Sequence, residues 1–444
     1  MRASRPSLAR FLVLAALALL ALPAAAVTDT DNGNANPGNY ANAVGPGVYR
    51  LDGFDPGLPF DDLEPLRRIV GNARVVGLGE SIHTSGGFYT LKHRVFRFLV
   101  EEMGFRAFGF ETPWVHAEAA AAYVQTCEGD LPAILGGLSR PWRSTEVQDL
   151  LQWMCEWNQD HPQPQDRLHF YGFDIQNQAQ PDAAALIAYL ERIGFAADHP
   201  WIQSIQVCDG VVESFWPSRP FPSADRYQQC QQALVAIASY FDENEKALVE
   251  RTSREELAWA RIRLVGQQTW QEEIFFIRAD FFRGYTARDR GMAYVAQAIR
   301  DLRFPHARVA LWAHNGHIIH DAVPYVGTPA MGNFLSAELD GHYVTVALTA
   351  SEVYVDWVPA GRCGLQTHLS VPGAVAVEDV LRGLGQGALL VDLNPRGSHP
   401  ALLEPGAVYG LADGTLVPAE GFDALLYLET SPAMHPLAWA SCQP

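Results

Sequence analysis

The sequence predicts an α/β protein with a central, largely parallel sheet flanked by helices and a helical subdomain inserted at about residues 200–303. Three observations carry this. Val75–Leu78 is an apolar run that stops at Gly79 and delivers Glu80 and His83, three residues apart; a buried strand ending in a Gly-rich turn reads this way. Phe88–Met103, with Leu91, Val95, Phe98 and Leu99 at helical spacing, ends at Gly104 and runs straight into a second apolar stretch, Phe105–Glu111. Strand, helix and strand joined by short turns make a parallel pair. Strands then resume after a long strandless stretch.

In chain order, Leu63–Ile69 reads as a helix feeding the strand Arg74–Gly79. Arg167–Asp174 reads as a strand and Asp182–Ile193 as the helix after it. Gln228–Val249, Ser253–Arg283 and Arg288–Leu302 read as helices. Ala307–Ala313, Tyr343–Ala350, Ala388–Leu393 and Ala424–Glu429 read as strands of the same sheet. One catalytic domain is expected from residue 48 to 444, preceded by a flexible lead-in, rich in Asn, Gly, Asp and Ala, over 27–47.

Residues 1–26 read as a signal peptide. Arg2, Arg5 and Arg10 form a positive start, Phe11–Leu22 an apolar run too short for a comfortable span, and Ala24-Ala25-Ala26 a cleavage pattern. A periplasmic or secreted location is expected, with no membrane association after cleavage. The six cysteines, Cys127, Cys155, Cys208, Cys230, Cys363 and Cys442, then suggest disulfides. Six cysteines permit about fifteen pairings. Nearest-neighbour pairing gives Cys127–Cys155, Cys208–Cys230 and Cys363–Cys442, and no C-x-x-C spacing points to a zinc knuckle. The net charge is −18, and loss of the three leader arginines brings it to −21. Such acidity disfavours nucleic acid as a partner. The expected state is a monomer.

The chemistry concentrates at strand ends. Glu80 can orient His83 and raise its basicity, so that the imidazole deprotonates water near neutral pH. Glu111 ends the next strand. His314 and His317 follow a third, with small Asn315 and Gly316 between them, and His320 extends the run. Two glutamates and three histidines at one sheet edge have the composition of a hydrolytic site, with or without a metal. Gly79-Glu80-Ser81 half resembles a nucleophile elbow but lacks its final glycine, which weakens a serine-hydrolase reading through Ser81.

The chain resembles the erythromycin esterase family. The resemblance rests on Val76–His83, Phe88–His93, Gly104–Glu111, Phe170–Gln176, Arg288–Ala293, Trp312–His317 and Phe422–Leu425. It implies a hydrolase that opens a macrolide lactone by water attack, as in antibiotic resistance, with a small-molecule ester or lactone as its partner and without a cofactor or metal. It implies His83 as general base, Glu80 and Glu111 as carboxylates that position it and the water, His314 and His317 as the downstream pair, and Lys92 and His93 as substrate-binding. One departure is Lys92, where the family often has arginine; lysine keeps the charge but loses the bidentate fork. Two further readings use the same residues: a metal-dependent hydrolase or peptidase with glutamate and histidine ligands, and a non-enzymatic haem- or metal-binding protein on a related fold.

Overall fold

A computed structural model of the chain describes residues 40–176, 179–209, 223–356, 364–367, 375–385, 387–394, 398–408 and 415–437. Its strands are β1 (Ala43–Gly45), β2 (Val48–Leu51), β3 (Val75–Leu78), β4 (Phe105–Pro113), β5 (His169–Asp174), β6 (Arg308–Trp312), β7 (Tyr343–Val355), β8 (Gly364–Thr367), β9 (Ala388–Asp392) and β10 (Ala424–Ser431). All belong to one mixed sheet in the order β1-β2-β9-β10-β7-β3-β6-β4-β5, with β8 paired to β7. From β10 to β5 every neighbouring pair is parallel. β9 runs antiparallel to β10 and to β2, and β8 antiparallel to β7. The expected α/β class is observed, with an antiparallel margin that the sequence reading did not foresee.

The apolar runs lack polar alternation because both faces of the sheet are covered. Val76, Leu78, Ala310, Trp312, Leu426 and Leu428 enter one core; Val75, Val309, Leu311, Leu425 and Tyr427 enter the other. Most strand boundaries fall within a residue or two of expectation. The end of the expected lead-in is a sheet edge instead, since Ala43–Gly45 pairs with β2. Residues 27–39, the leader 1–26, Cys363 and Cys442 lie outside the described residues.

No strand falls among the described residues between 200 and 303, as expected. The helix boundaries differ. Gln228–Val249 is two helices, Ala224–Glu243 and Glu245–Arg251, parted at Asn244. The next break falls at 277–280, between the helices Arg254–Phe276 and Phe281–Arg303. Asp280 sets it, its side chain accepting from the Arg283 amide as an N-cap. Leu186 and Leu190 of the preceding helix, Ala179–Arg192, join Ile205, Leu234, Ile237 and Leu264 in a small core, while Phe281–Arg303 packs on β5. Two disulfides, Cys127–Cys155 and Cys208–Cys230, match two of the nearest-neighbour pairs and each tie two helices together. Among the described residues no helix is long and apolar enough to cross a membrane.

The turn after β3 has no room for a side chain. A Cβ on Gly79 would lie 2.0 Å from Asn315 Oδ1 and 2.8 Å from Ile318 Cδ1. Asn315 cannot yield cheaply: it donates to Leu348 O at 2.9 Å and accepts from Leu348 N at 3.2 Å, locking the end of β6 to β7. Gly79→Ala is therefore expected to cost about 1–3 kcal/mol or more by overpacking, read from urea denaturation. Gly104→Ala, where φ is +72° and nothing lies within 4 Å, should cost only the left-handed backbone penalty of about 1–2 kcal/mol. Equal, small effects at both positions would contradict this account.

Candidate active site

Strand order assembles the site. β6 lies between β3 and β4, so the loop carrying His314 and His317 is inserted between Glu80–His83 and Glu111. β5 adds Asp174 beside β4. These groups meet at the carboxyl ends of parallel strands, where open α/β sheets place their ligands.

Glu80 is fully buried. Its Oε1 accepts from His83 Nδ1 at 2.5 Å, and its Oε2 accepts from Lys92 Nζ at 2.9 Å and Trp312 Nε1 at 3.0 Å. Burial raises its pKa, but the Lys92 and His83 charges outweigh this and hold it below the usual carboxylate range. A carboxylate can only accept, so the proton of neutral His83 sits on Nδ1 and Nε2 is left with its lone pair. That nitrogen faces Glu111 Oε1 across 3.9 Å, and the His83 side chain keeps 22 % of its surface exposed. Burial lowers the His83 pKa, but Glu111 and Glu80 more than compensate and raise it above its ordinary value. Trp142 closes one side, its ring 5.3 Å from that of His83 and its Nε1 donating to Glu111 O at 2.8 Å. The loop carrying His83 is held through Thr84, whose backbone adopts φ 68°, rare for a β-branched residue. Its amide donates to Tyr89 OH at 2.8 Å and its carbonyl accepts from Met434 N at 3.1 Å.

Around Glu111 a second network forms. Arg288 Nη2 donates to Glu111 Oε1 at 2.7 Å and to Asp174 Oδ2 at 2.9 Å, and Arg288 Nε donates to Asp174 Oδ1 at 3.1 Å. The Arg288–Asp174 pair is a two-bond fork that fixes the guanidinium plane. Burial raises the Glu111 pKa, but His317, His83 and Arg288 hold it well below the usual range. His317 Nδ1 lies 2.8 Å from Asp289 Oδ1, and its Nε2 lies 3.4 Å from Glu111 Oε1 and 3.1 Å from Arg288 Nη1. Burial lowers its pKa, yet Asp289 and Glu111 push it up to about 10. Tyr285 stacks on it, with centroids 5.3 Å apart.

The structure brings Glu80, His83, Glu111 and His317 together as read from the sequence. His314 is adjacent but occupied: its Nε2 donates to Ser81 O at 2.9 Å, its Nδ1 accepts from Gly316 N at 3.1 Å, and its amide donates to Glu111 Oε2 at 2.9 Å. Burial, with the His83 and His317 charges, pushes its pKa down to about 4. Lys92 has no exposed surface and lies behind Glu80, 4.3 Å from the Trp312 ring centroid. His93 faces away, packed on Trp153 with Nε2 unbonded, and burial with the Arg97 charge pushes its pKa down to about 3. His320 pairs with Asp423 at 2.6 Å. Among the described residues the buried hydroxyl of Ser81 has no hydrogen-bond partner, so no serine–histidine pair is assembled among them. Among the described residues no group of three or more His, Cys, Asp or Glu is placed to hold a metal ion.

Sequence reasoning did not assign roles to Asp174, Tyr285, Arg288, Asp289 and Trp312. Asp174 carried a usable signal: it ends an apolar strand just as Glu111 does. Arg288 and Asp289 became legible only with the helix start at Phe281, which puts them two turns in, side by side against the strand ends. Glu273 lies beyond them, buried, accepting from Gln176 Nε2 at 2.7 Å; burial pushes its pKa up to about 8 despite Arg288.

The model of the family described as "Erythromycin esterase" matches residues 100–431. The chain is 31% identical over 319 residues to "Erythromycin esterase type II" of Escherichia coli, covering 66% of this chain and 72% of that protein. A solved Bacillus cereus protein superposes with a TM-score of 0.73 at 20% identity, over 87% of this chain and 96% of that one. An erythromycin esterase mutant, EreC in its open conformation, superposes with a TM-score of 0.69 at 19% identity, over 86% and 97%. The fold, the order of the motifs and the extent of the family match agree: the chain belongs to the erythromycin esterase family.

Proposed function

We propose that the chain is an exported hydrolase that cleaves an ester or opens a lactone, with His83 activating the attacking water. The observation that carries this reading is the free His83 Nε2, aimed at Glu111 across 3.9 Å while Nδ1 is tied to a buried carboxylate. Water bonded to Nε2 loses a proton to it as the oxygen attacks the carbonyl carbon. The carbonyl oxygen becomes an oxyanion, which Arg288 and protonated His317 are near enough to stabilise. On collapse, the proton on His83 passes to the departing alkoxide. Glu80 orients the base, Glu111 orients the water and favours the His83 cation, and Lys92 serves through Glu80 rather than through substrate. His314 positions Glu111 and Ser81 through backbone bonds. The substrate we propose is a small-molecule carboxylic ester or lactone, the class to which the relatives' erythromycin belongs.

Family membership supports a hydrolase. Export is supported by the leader and is compatible with the two disulfides. The helices between 200 and 303 we read as an insertion whose last member brings in Arg288 and Asp289. A metal-free mechanism is supported by the carboxylate bonding, since Glu80 and Glu111 already accept from Lys92, Trp312, Arg288 and the His314 amide.

His83→Ala is expected to lower kcat by about 10²-fold or more, the usual worth of a general base, with an unchanged circular-dichroism spectrum. A folded variant of near-normal rate would remove the base from His83. The pH profile gives a second test. His83 must be neutral to accept a proton, and its pKa is raised, so activity should appear as pH rises through a midpoint above 6.5. Burial holds Lys92 down to about 8, so a falling limb is expected near there as Glu80 loses its cation. Glu111→Gln removes a charge that raises the His83 pKa, and in whatever rate remains should move the acidic limb to lower pH; an unmoved limb would uncouple the two groups. Exhaustive chelation should leave activity intact, and loss with recovery on adding zinc, manganese or cobalt would replace this mechanism by a metallohydrolase.

A further inference from the structure

At the opposite end of the sheet a pocket of about 570 Å³ opens at the amino ends of β4, β5 and β6. In a chain with 50 acidic and 32 basic side chains, none of the eleven residues lining it is acidic, and five are Arg106, Arg167, Arg303, His169 and His306. Among the described residues Arg106 and Arg167 form no ion pair. Arg106, whose Cζ lies 5.7 Å from the Trp157 ring centroid, donates from Nη1 to the carbonyls of Val100 at 3.0 Å and Phe105 at 2.8 Å, which leaves Nε and Nη2 without hydrogen-bond partners among the described residues. Arg167 donates from Nε to Gln125 Oε1 at 3.0 Å and from Nη2 to Gln125 O, which leaves Nη1. Arg303 uses Nη2 on Glu118 at 2.9 Å and keeps Nε and Nη1. Asp166 acts on Arg106 only from beyond ion-pair distance. Phe304, stacked on His169 with centroids 5.0 Å apart and 15° between planes, supplies a flat apolar wall.

We propose that this pocket is a binding site for a small organic polyanion, one carrying phosphoryl groups or clustered carboxylates. Backbone carbonyls and Gln125 fix two of the three guanidiniums, Arg106 and Arg167, so an anion meets donors already oriented and gains charge-assisted hydrogen bonds at little ordering cost. The volume suits a molecule of metabolite size. The site is separate from Arg288 and the catalytic carboxylates, which sit at the other ends of the same strands.

Isothermal titration of the purified full chain at low ionic strength, with inorganic pyrophosphate in one arm and citrate in the other, tests this. One site per chain, with Kd at or below roughly 1 mM, is expected for at least one anion, and the arm that binds tells phosphoryl from carboxylate recognition. Affinity should fall as chloride is raised through physiological strength. The double variant Arg106→Gln/Arg167→Gln should lose tenfold or more, on the order of two charge-assisted bonds. Should that variant not fold, Arg303→Gln, which gives up one surface ion pair, should weaken binding by roughly threefold or more. No binding of either anion at roughly 10 mM, or affinity unchanged in the folded variants, would overturn the proposal.

Discussion

Glu80 is a carboxylate with no surface in water, and much of the local architecture follows from keeping it ionised there. An unpaired buried charge costs several kcal/mol, and removing one partner of a buried pair costs about 3–5 kcal/mol. Three donors meet the requirement: Lys92 from the helix after β3, Trp312 from β6, and His83 from its own loop. Each sets a steric condition. The helix bearing Lys92 must start close under the end of β10, and Gly86 and Gly87 permit it, since Cβ atoms there would lie 2.7 Å from Ala433 O and 2.5 Å from Ser431 Oγ. Trp312 must fit into the aromatic floor, where it meets Tyr89, Phe110 and Trp142 edge-on or tilted at centroid distances of 4.9, 4.7 and 5.5 Å. That floor excludes water and so strengthens the charges it encloses. The same burial that makes Glu80 costly therefore makes its grip on His83 strong.

His83 stands between two charge networks and feels both. Four carboxylates, Glu80, Glu111, Asp174 and Asp289, face Lys92, Arg288 and His317. The carboxylate excess is offset when His83 takes up a proton, which is why its pKa rises although burial opposes it. For the general base we propose, this is a compromise: a stronger acceptor is protonated more of the time near neutrality. In that proposal the arrangement favours the state after proton abstraction, with an imidazolium between two carboxylates and an oxyanion beside it. Substrate binding that displaces Glu111 from His83 would tip the balance back.

How much of this was legible depends on which force fixed each element. The parallel strands around the site were readable because two-sided burial writes an unbroken apolar run, as in Val75–Leu78 and Val309–Leu311. β1, β2 and β8 were not, because a strand of three or four residues carries too few apolar positions to stand out; β9 was readable as a strand, but its apolar run does not write its antiparallel direction. Glu80, His83 and Glu111 were readable because glycines and a strand end announce them. Arg288 lies in a motif of the resemblance but had no task there, because its place beside Glu111 depends on Asp280 starting the helix at Phe281 rather than at Arg288. The resemblance implied Lys92 and His93 together as substrate ligands, yet on a helix adjacent residues point about 100° apart, and the two side chains reach different neighbours, Glu80 and Trp153.

The two ends of the sheet differ in polarity for a reason built into parallel α/β topology. Helices leave from the carboxyl ends of the strands and return to the amino ends, so their amino termini gather at the edge that carries Glu80, His83 and Glu111 and their carboxyl termini at the other. The helices ending at Met103, Asp160 and Arg303 all finish beside the far pocket, each with orphan carbonyls. Arginine answers that need: Arg106 takes the Val100 carbonyl, and Arg308 takes those of Gly71, Ala73 and Met103. A carbonyl carries only part of a charge, however, whereas each guanidinium carries a whole one and five donors. Capping carbonyls this way leaves positive charge without a carboxylate partner on a molecule that is otherwise strongly acidic, and Arg106 and Arg167 hold it around one cavity.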